Sequence, residues 1–338
     1  MQNNNFAKDK KQLIIVLSSL IGFMLILFGI SMCVGRYSIS IQDVFGFFFG
    51  KDIPELSRRV IINLRIPRTI LAALIGAALS VSGAIYQSAF NNKLVSPDLL
   101  GVSSGSSVGT CLAILLGLSG AIISAFSFAI GFVAVALTVI IAKAFGNRSN
   151  VILLLSGIAI GGLMSSLVGL LKYLADDEMK LSEMTFWLLG DISGATMKDI
   201  YLMLPITIVA CAVAVILSWR LNILSLGERE AKSLGVNYKA TMIILIIVAT
   251  LLTAGAVSVS GTIGWVGLVI PNIVRLFFGS DNRKVIPVSI FAGASYMMIV
   301  DMLARTLAPN EIPLSVITGI IGTPLFLISI FKRRKELK

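Results

Sequence analysis

Uncharged apolar stretches of about twenty residues recur along this 338-residue chain, and they constrain its fold more than any other feature. A helix of about 20 residues spans the hydrocarbon core of a bilayer. Because lipid offers the backbone no hydrogen-bond partners, such runs must form spanning helices. The composition agrees, with 57% hydrophobic and 13% charged residues. The sequence therefore predicts an all-α, polytopic membrane protein with a single transmembrane domain over residues 1–338.

The spacing of the apolar runs predicts ten spans. They lie at about 13–34, 68–90, 102–117, 121–145, 151–173, 199–219, 239–258, 263–278, 285–304 and 312–331. The first run is long for a signal peptide and is predicted to be an uncleaved span. Basic residues concentrate in the N-terminal stretch, the short turns and the C-terminal tail, which favours cytoplasmic termini and external segments at 36–66 and 174–198. Prolines and glycines near the span ends indicate turns or interrupted helices that line a cavity.

Several classes of function are disfavoured by what the sequence lacks. The chain has no histidine, which removes His-based metal sites and catalytic triads. It carries no P-loop motif, so any ATP must be hydrolysed on another chain. We predict no catalytic residue, cofactor or metal site. The net charge of +11 reflects Lys and Arg at the ends of apolar runs and does not predict nucleic-acid binding. The three cysteines are interpreted as small buried side chains.

Residues 220–238 form the most polar segment between two spans. We predict one short amphipathic helix here, capped by Ser225, supported by a Glu228–Lys232 pair and ended by Gly235. Its apolar side would be formed by Leu224, Ala231 and Leu234. A charged helix with an apolar edge suits binding to another protein in the cytoplasm, and the alternative is a solvated connecting loop.

Small residues recur at every fourth position of two spans, a pattern that lets helix backbones approach closely. For span two this pattern favours helix packing; for span five, packing and the lining of a pathway stay equally open. The residues are Ala72, Gly76, Ser80 and Ala84 in span two, and Gly157, Gly161, Ser165 and Gly169 in span five. Asp301 and Arg305 lie one helical turn apart at the end of span nine, where they can pair with each other.

Several ordered blocks resemble the FecCD-type permeases, the membrane subunits of ATP-binding-cassette importers for ferric siderophores, haem and cobalamin. The longest is LRIPRTILAALIGAALSVSGAIYQSAFNNKLVSPDLLGVSSGSSVG at 64–109. Further blocks are LSLGEREAKSLGV (224–236), SGTIGWVGLVIPNIVRL (260–276), GSDNRKVIP (279–287) and EIPLSVITGIIGTPLF (311–326). The resemblance implies a type II ABC importer permease fold in a bacterial cell membrane. It also implies two ATPase subunits, an external substrate-binding protein, and a second permease chain, identical or related.

The resemblance also assigns roles to residues. It implies that 224–236 is the loop that couples to the ATPase, with contacts at Leu224, Leu226, Gly227, Glu228, Arg229, Ala231, Leu234 and Gly235. It implies that Arg65, Arg68 and Arg305 meet acidic residues of the binding protein at an exposed interface. It places a gate and pathway at Ser149, Asn150, Val151, Gly157 and Gly161. One departure is Asn272, where the family usually has a histidine; an asparagine can hydrogen-bond but carries no charge.

The substrate stays open at this point. An iron complex such as a ferric siderophore is favoured, with haem, cobalamin or an oxyanion as alternatives. A secondary transporter driven by an ion gradient is a different class, disfavoured because no chain of acidic residues crosses the spans. An integral-membrane enzyme is the third class, and no constellation of nucleophile, base and metal ligands supports it.

Overall fold

All secondary structure in the computed structural model, which describes residues 2–145 and 150–336, is helical. The helices are α1 (Gln2–Cys33), α2 (Ile41–Phe48), α3 (Glu55–Val60), α4 (Ile66–Ala89), α5 (Val102–Leu115), α6 (Ala121–Ala144), α7 (Asn150–Tyr173), α8 (Glu178–Leu188), α9 (Met197–Ile216), α10 (Ser218–Leu224), α11 (Glu228–Ser233), α12 (Tyr238–Ser260), α13 (Val266–Phe278), α14 (Asn282–Ala304) and α15 (Leu314–Glu336). A π-helical segment, Ile61–Arg65, joins α3 to α4, and a 3₁₀ segment, Pro97–Leu100, precedes α5. The all-α prediction is confirmed.

Each predicted span corresponds to an apolar helix, and eight of these helices are long enough to cross a membrane. The eight contain or form α1, α4, α6, α7, α9, α12, α14 and α15. The other two, α5 with 14 residues and α13 with 13, are short. At 1.5 Å per residue each is roughly 20 Å long, less than the hydrocarbon thickness of about 30 Å. Spans three and eight are therefore shorter than predicted from their apolar runs.

Local backbone geometry explains both short helices. Gly101 adopts a left-handed conformation (φ 81°) directly before α5, which ends the 3₁₀ segment and starts a new helix. Before α13, Gly261 (φ 68°) and Trp265 (φ 70°) adopt positive φ, which ends α12 and delays the start of α13. Positive φ is rare for a tryptophan, so this turn is held by its surroundings. The interrupted helices that the prolines and glycines indicated are confirmed at these two positions.

Helix α4 lies at the centre of the bundle and is buried over most of its length. It packs closely against α13 and α14 through glycines. A Cβ added at Gly83 would overlap the Gly267 carbonyl group of α13, and one added at Gly76 would overlap that of Gly293 in α14. The small-residue pattern of span two is thus a packing pattern, as predicted.

Helices α4 and α14 are antiparallel and define two ends of the bundle. Arg68 at the start of α4 contacts Asp301 at the end of α14, whereas Ser88 near the end of α4 bonds to Asn282 at the start of α14. We call the end with Arg68 the distal end. The end with Ser88, which also carries residues 218–237, is the coupling end.

Candidate functional site

A buried cluster of charges occupies the distal end. Arg68 Nε donates to Asp301 Oδ1 at 2.6 Å. The same guanidinium contacts both carboxylate oxygens of Glu311, with Nη1 3.0 Å from Oε1 and Nη2 2.8 Å from Oε2. Arg305 Nε lies 3.5 Å from Asp301 Oδ2, and its Nη2 donates to the Ser31 carbonyl oxygen on α1 at 3.1 Å. The predicted Asp301–Arg305 pairing is confirmed, but Arg68 is the closer partner of Asp301. The cluster ties α1, α4 and α14 together.

Arg65 is the third arginine of the cluster, and it has no ion pair with a carboxylate among the described residues. Its Nη2 donates to the Tyr37 carbonyl oxygen at 3.0 Å, and its guanidinium lies against Gly35, where a Cβ would overlap it. Three arginines therefore face two carboxylates, an excess of one positive charge. Arg65 Nε and Arg305 Nη1 are buried without a hydrogen-bond acceptor among the described residues. Burial, opposed by Asp301 and reinforced by Arg65 and Arg68, lowers the pKa of Arg305 to about 10.

The expectation of an exposed arginine interface is wrong for this structure. Arg65 and Arg68 are each 7% exposed and Arg305 is 2% exposed. Buried charges need partners, and the chain supplies them from Asp301 and Glu311. Sequence reasoning paired Asp301 with Arg305 but missed Glu311, which lies in the turn before α15. Docking of a partner at these arginines stays a prediction.

The segment 220–238 contains two short helices, α10 and α11, in place of the single predicted helix. Ser225 does not cap the second one: its hydroxyl donates back to the Asn222 carbonyl oxygen at 2.7 Å, and Gly227 (φ 112°) precedes α11. A glycine is required there because the backbone turns through positive φ. The Glu228–Lys232 pair is confirmed at 3.2 Å, and Gly235 (φ 75°) follows α11 as predicted.

The apolar side of this segment faces two ways. Leu224 and Ala231 are 2% and 0% exposed and pack into the core, so the prediction that they are available to a partner is wrong. Leu226 and Leu234 are 60% and 55% exposed, and Arg229 is exposed beside them. The surface that this segment offers to another protein is thus formed by Leu226, Arg229 and Leu234, with Glu228 half-buried at its edge.

A polar network, missed by sequence reasoning, fastens α10 to the bundle. Asn222 Nδ2 donates to Asp281 Oδ1 at 2.7 Å, and Asn222 Oδ1 accepts from the Asn282 amide at 2.8 Å. The Asn282 side chain in turn accepts from Ser88 Oγ of α4 at 2.8 Å and from Arg275 of α13 at 3.3 Å. Burial alone would raise the pKa of Asp281, but hydrogen bonds from Arg283 and Asn222 lower it. The segment is thereby linked to three helices.

A cavity of about 350 Å³ lies where the short helix α5 begins. Six of its eleven described lining residues carry a hydroxyl group, and Asp98 is the one charged residue among those eleven. Ser103 Oγ donates to Asp98 Oδ1, and Asp98 is exposed. The hydroxyl-bearing lining residues are Ser103, Ser104, Ser107, Ser165, Thr262 and Ser315. They come from α5, α7, the turn before α13, and α15.

Gly157 and Gly161, which were predicted to line the pathway, lie elsewhere on α7. Gly157 packs against Leu99 and Leu100, where a Cβ would overlap the Leu99 carbonyl oxygen, and Gly161 lies beside Gly101. Ser165, in the same small-residue series, does line the cavity. Val151 is exposed, and Asn150 begins α7. Ser149 and the Asn150 side chain lie outside the described residues. Packing thus accounts for Gly157, and the pathway role of the other residues stays a prediction.

Asn272 stands where the family usually has a histidine, and its side-chain NH₂ group donates two hydrogen bonds. Its Nδ2 group donates to the Leu268 carbonyl oxygen at 2.8 Å and to the Lys93 carbonyl oxygen at 2.9 Å. It thereby fastens the turn 91–96 to α13. A neutral amide is sufficient for this contact, so no charge is needed at the position.

A bundle of apolar helices, two of them shortened around a hydroxyl-lined cavity, is the architecture of a membrane transport permease. The chain matches the model of the FecCD transport family over residues 23–332, and it belongs to that family. It is 38% identical to a molybdate import system permease protein of Haemophilus influenzae, over 90% of this chain and 92% of that one. It is 34% identical to a hemin transport system permease protein of Yersinia pestis, over 94% and 96% of the two chains.

Solved structures agree with this assignment. One, described as a metal-chelate type ABC transporter in an inward-facing conformation, superposes with a TM-score of 0.85 at 36% identity, covering 94% of this chain and 99% of that one. The PsaBC complex of Streptococcus pneumoniae shares the fold alone, at a TM-score of 0.60 and 18% identity, covering 85% and 95% of the two chains. The protein is the permease subunit of an ABC importer.

Proposed function

We propose that this permease carries an iron complex, a ferric siderophore, into a bacterial cell by alternating access, powered by an ATPase on a separate chain. The observation that carries the substrate assignment is the Asp98 carboxylate in the hydroxyl-lined cavity. A carboxylate that lines the cavity repels a free oxyanion and attracts a ligand that brings hydrogen-bond donors or positive charge. A ferric chelate with amide N–H groups has this chemistry. Two proteins of Helicobacter pylori, each 36% identical to this chain over 85% of its length, are described as iron chelatin transport system permeases.

Molybdate import is the second candidate, because the Haemophilus influenzae relative at 38% identity is a molybdate permease. Uptake by cells that express this chain with its own ATPase and binding protein distinguishes the two. We expect accumulation of radiolabelled ferric trihydroxamate but not of radiolabelled molybdate. We also expect Asp98→Asn to reduce iron uptake several-fold while the protein remains in the membrane. If the wild-type chain takes up molybdate, and this uptake is unchanged or higher in Asp98→Asn, the iron assignment is wrong and molybdate is the substrate.

We propose that the coupling end faces the cytoplasm, with both termini, and that Leu226, Arg229 and Leu234 bind the ATPase. Exposed leucines beside a charge are suited to a protein interface. Glu228→Arg breaks the pair with Lys232 and places like charges one turn apart, so the mutant should retain much less ATPase in mild detergent. Its membrane insertion should be normal. Undiminished ATPase co-purification would count against the assignment, and Leu56→Arg, which alters an exposed leucine at the distal end, is the matched control.

We propose that the arginine cluster docks the substrate-binding protein by exchange of partners. The excess of one positive charge and the unpaired N–H groups of Arg65 and Arg305 leave room for one more carboxylate. Glu311 is the acid at the rim, with 27% of its side chain exposed, whereas Asp301 is 1% exposed. A carboxylate of the binding protein would therefore displace Glu311 from Arg68 and leave Asp301 in place.

We propose that two permease chains pair around the pathway, either two copies or this chain with a related one. Purification from native membranes in mild detergent, with mass spectrometry of the retained proteins, tests the whole assembly. We expect an ATPase with a P-loop and a stoichiometry of two permease chains. A chain that repeatedly purifies alone would contradict the assembly and favour transport driven by an ion gradient.

A further inference from the structure

Helix α2, outside the ten predicted spans, presents an apolar face that nothing in the described chain covers. Ser40 caps it by accepting a hydrogen bond from the Asp43 amide at 3.0 Å. Ile41, Phe45, Phe48 and Phe49 recur at a spacing of three to four residues and therefore share one side. All four are exposed, Phe49 by 75%. The rings of Phe45 and Phe49 are stacked, with centroids 6.3 Å apart and planes 12° apart, so they form one continuous ridge.

The opposite side of α2 is fixed to the protein. Val44 is buried in a small core with Met32 near the end of α1, Ile39 and Ile61. Gly46 lies so close to Ile53 that an added Cβ would be 2.8 Å from its side chain. The helix is therefore held in one orientation at the distal end, and its aromatic ridge is directed away from the protein by packing.

The ridge continues the lipid-facing surface of the molecule. Helix α1 is a spanning helix that packs on the bundle along one side, and only 6% of its most apolar window is buried, so its other side is open to lipid. Helix α2 packs on the last turns of this helix, at the level where the span leaves the hydrocarbon core. Phe28 of α1 contacts the small core under α2 and also borders an apolar cavity of about 340 Å³ between α1, α4, α9 and α14. Apolar surface thus extends without a break from the span to α2.

Two basic residues of the segment that carries the ridge are suited to phospholipid headgroups. Lys51 follows α2, and Arg58 lies on α3; both are exposed and have no ion-pair partner among the described residues. Arg59, by contrast, is paired with Glu55 at 2.9 Å. Exposed basic residues that follow an aromatic ridge in the chain are a combination found in helices that lie in the membrane interface.

We infer that α2 is an interfacial anchor, with Ile41, Phe45, Phe48 and Phe49 inserted into the bilayer leaflet at the distal end and Lys51 and Arg58 on lipid phosphates. This binding holds the segment 36–66, and with it Arg65, at a fixed depth beside the arginine cluster. The occupant of the ridge is phospholipid. A second copy of the chain and a soluble partner are the competing occupants, and the experiment below separates them.

Photo-crosslinking of the full chain in membranes tests the inference. p-Benzoylphenylalanine replaces Phe45 or Phe49, and the adducts formed on irradiation are identified by mass. We expect phospholipid adducts at both positions. The matched controls are the same replacement at Phe47, which faces the small core, and at Asp176, an exposed position in another distal segment. Adducts to a second copy or another protein, or a lipid yield no higher than at Asp176, would overturn the inference.

A second measurement addresses the basic residues. In vesicles that mix zwitterionic and anionic phospholipids, anionic lipid should be enriched among the adducts at Phe49 by at least about twofold over its share of the bilayer. Lys51→Gln combined with Arg58→Gln should abolish the enrichment while the total lipid yield persists. Equal enrichment in the double mutant would show that these two residues do not bind headgroups.

Discussion

At the scale of single residues, Glu311 and Asp301 differ in what their removal should do. Asp301 is buried between Arg68 and Arg305. Its neutralisation would leave a buried guanidinium unpaired and would lower the free energy of unfolding by about 3–5 kcal/mol. Glu311 lies at the rim, where water can solvate Arg68 if the acid is lost. Glu311→Gln should therefore leave the fold intact, remove the internal competitor for Arg68, and strengthen binding of the substrate-binding protein several-fold.

Binding of the purified substrate-binding protein to the permease complex in nanodiscs, measured by interferometry, checks this expectation. Glu55→Gln, which removes an exposed acid from the same end of the molecule, is the matched control and should leave affinity unchanged. Affinity that falls in Glu311→Gln would mean that Glu311 itself contacts the partner. The partner-exchange proposal would then be wrong.

At the scale of elements, the contact between α4 and α13 depends on the absence of side chains. An added methyl group at Gly83 would meet the Gly267 backbone, which cannot rotate away as a side chain can. Gly83→Ala should push the helices apart and destabilise the protein by about 1–3 kcal/mol or more. Gly162→Ala on α7 is the control, because nothing lies within 4 Å of the added atom. Thermal unfolding in detergent measures both, and equal midpoints would contradict the close packing of α4.

The same elements show what sequence could and could not predict. Apolar runs were sufficient to predict ten apolar helices, and the spacing of small residues was sufficient to predict the packing of α4, because both depend on local composition. Glycines and prolines indicated the breaks before α5 and α13, but the positive φ of Trp265 is not marked by any sequence pattern. The burial of Arg65, Arg68 and Arg305 depends on Asp301 and Glu311, which are more than 230 positions from Arg68. Exposure of charged residues is a property of the assembled bundle.

At the scale of the whole molecule, α4 and α14 run antiparallel between the two ends and connect them. At the coupling end, Asn222 binds both Asp281 and Asn282, and Asn282 also binds Ser88 and Arg275. We therefore expect a displacement of α10 and α11 to reach α4, α13 and α14 through hydrogen bonds that begin at the Asn222 side chain. Asn222→Ala deletes both of its bonds without changing Leu226, Arg229 or Leu234.

We expect Asn222→Ala to separate ATPase binding from transport. The mutant should retain the ATPase in mild detergent, because the exposed contact surface is unchanged, and ATP hydrolysis should continue. Substrate uptake per ATP hydrolysed should fall by about tenfold, since each deleted hydrogen bond contributes roughly 1 kcal/mol to the link between α10 and the bundle. Ser233→Ala, which removes an exposed hydroxyl from α11, is the control. If uptake and hydrolysis fall together in Asn222→Ala, the residue positions the ATPase contact itself and the network does not transmit the movement.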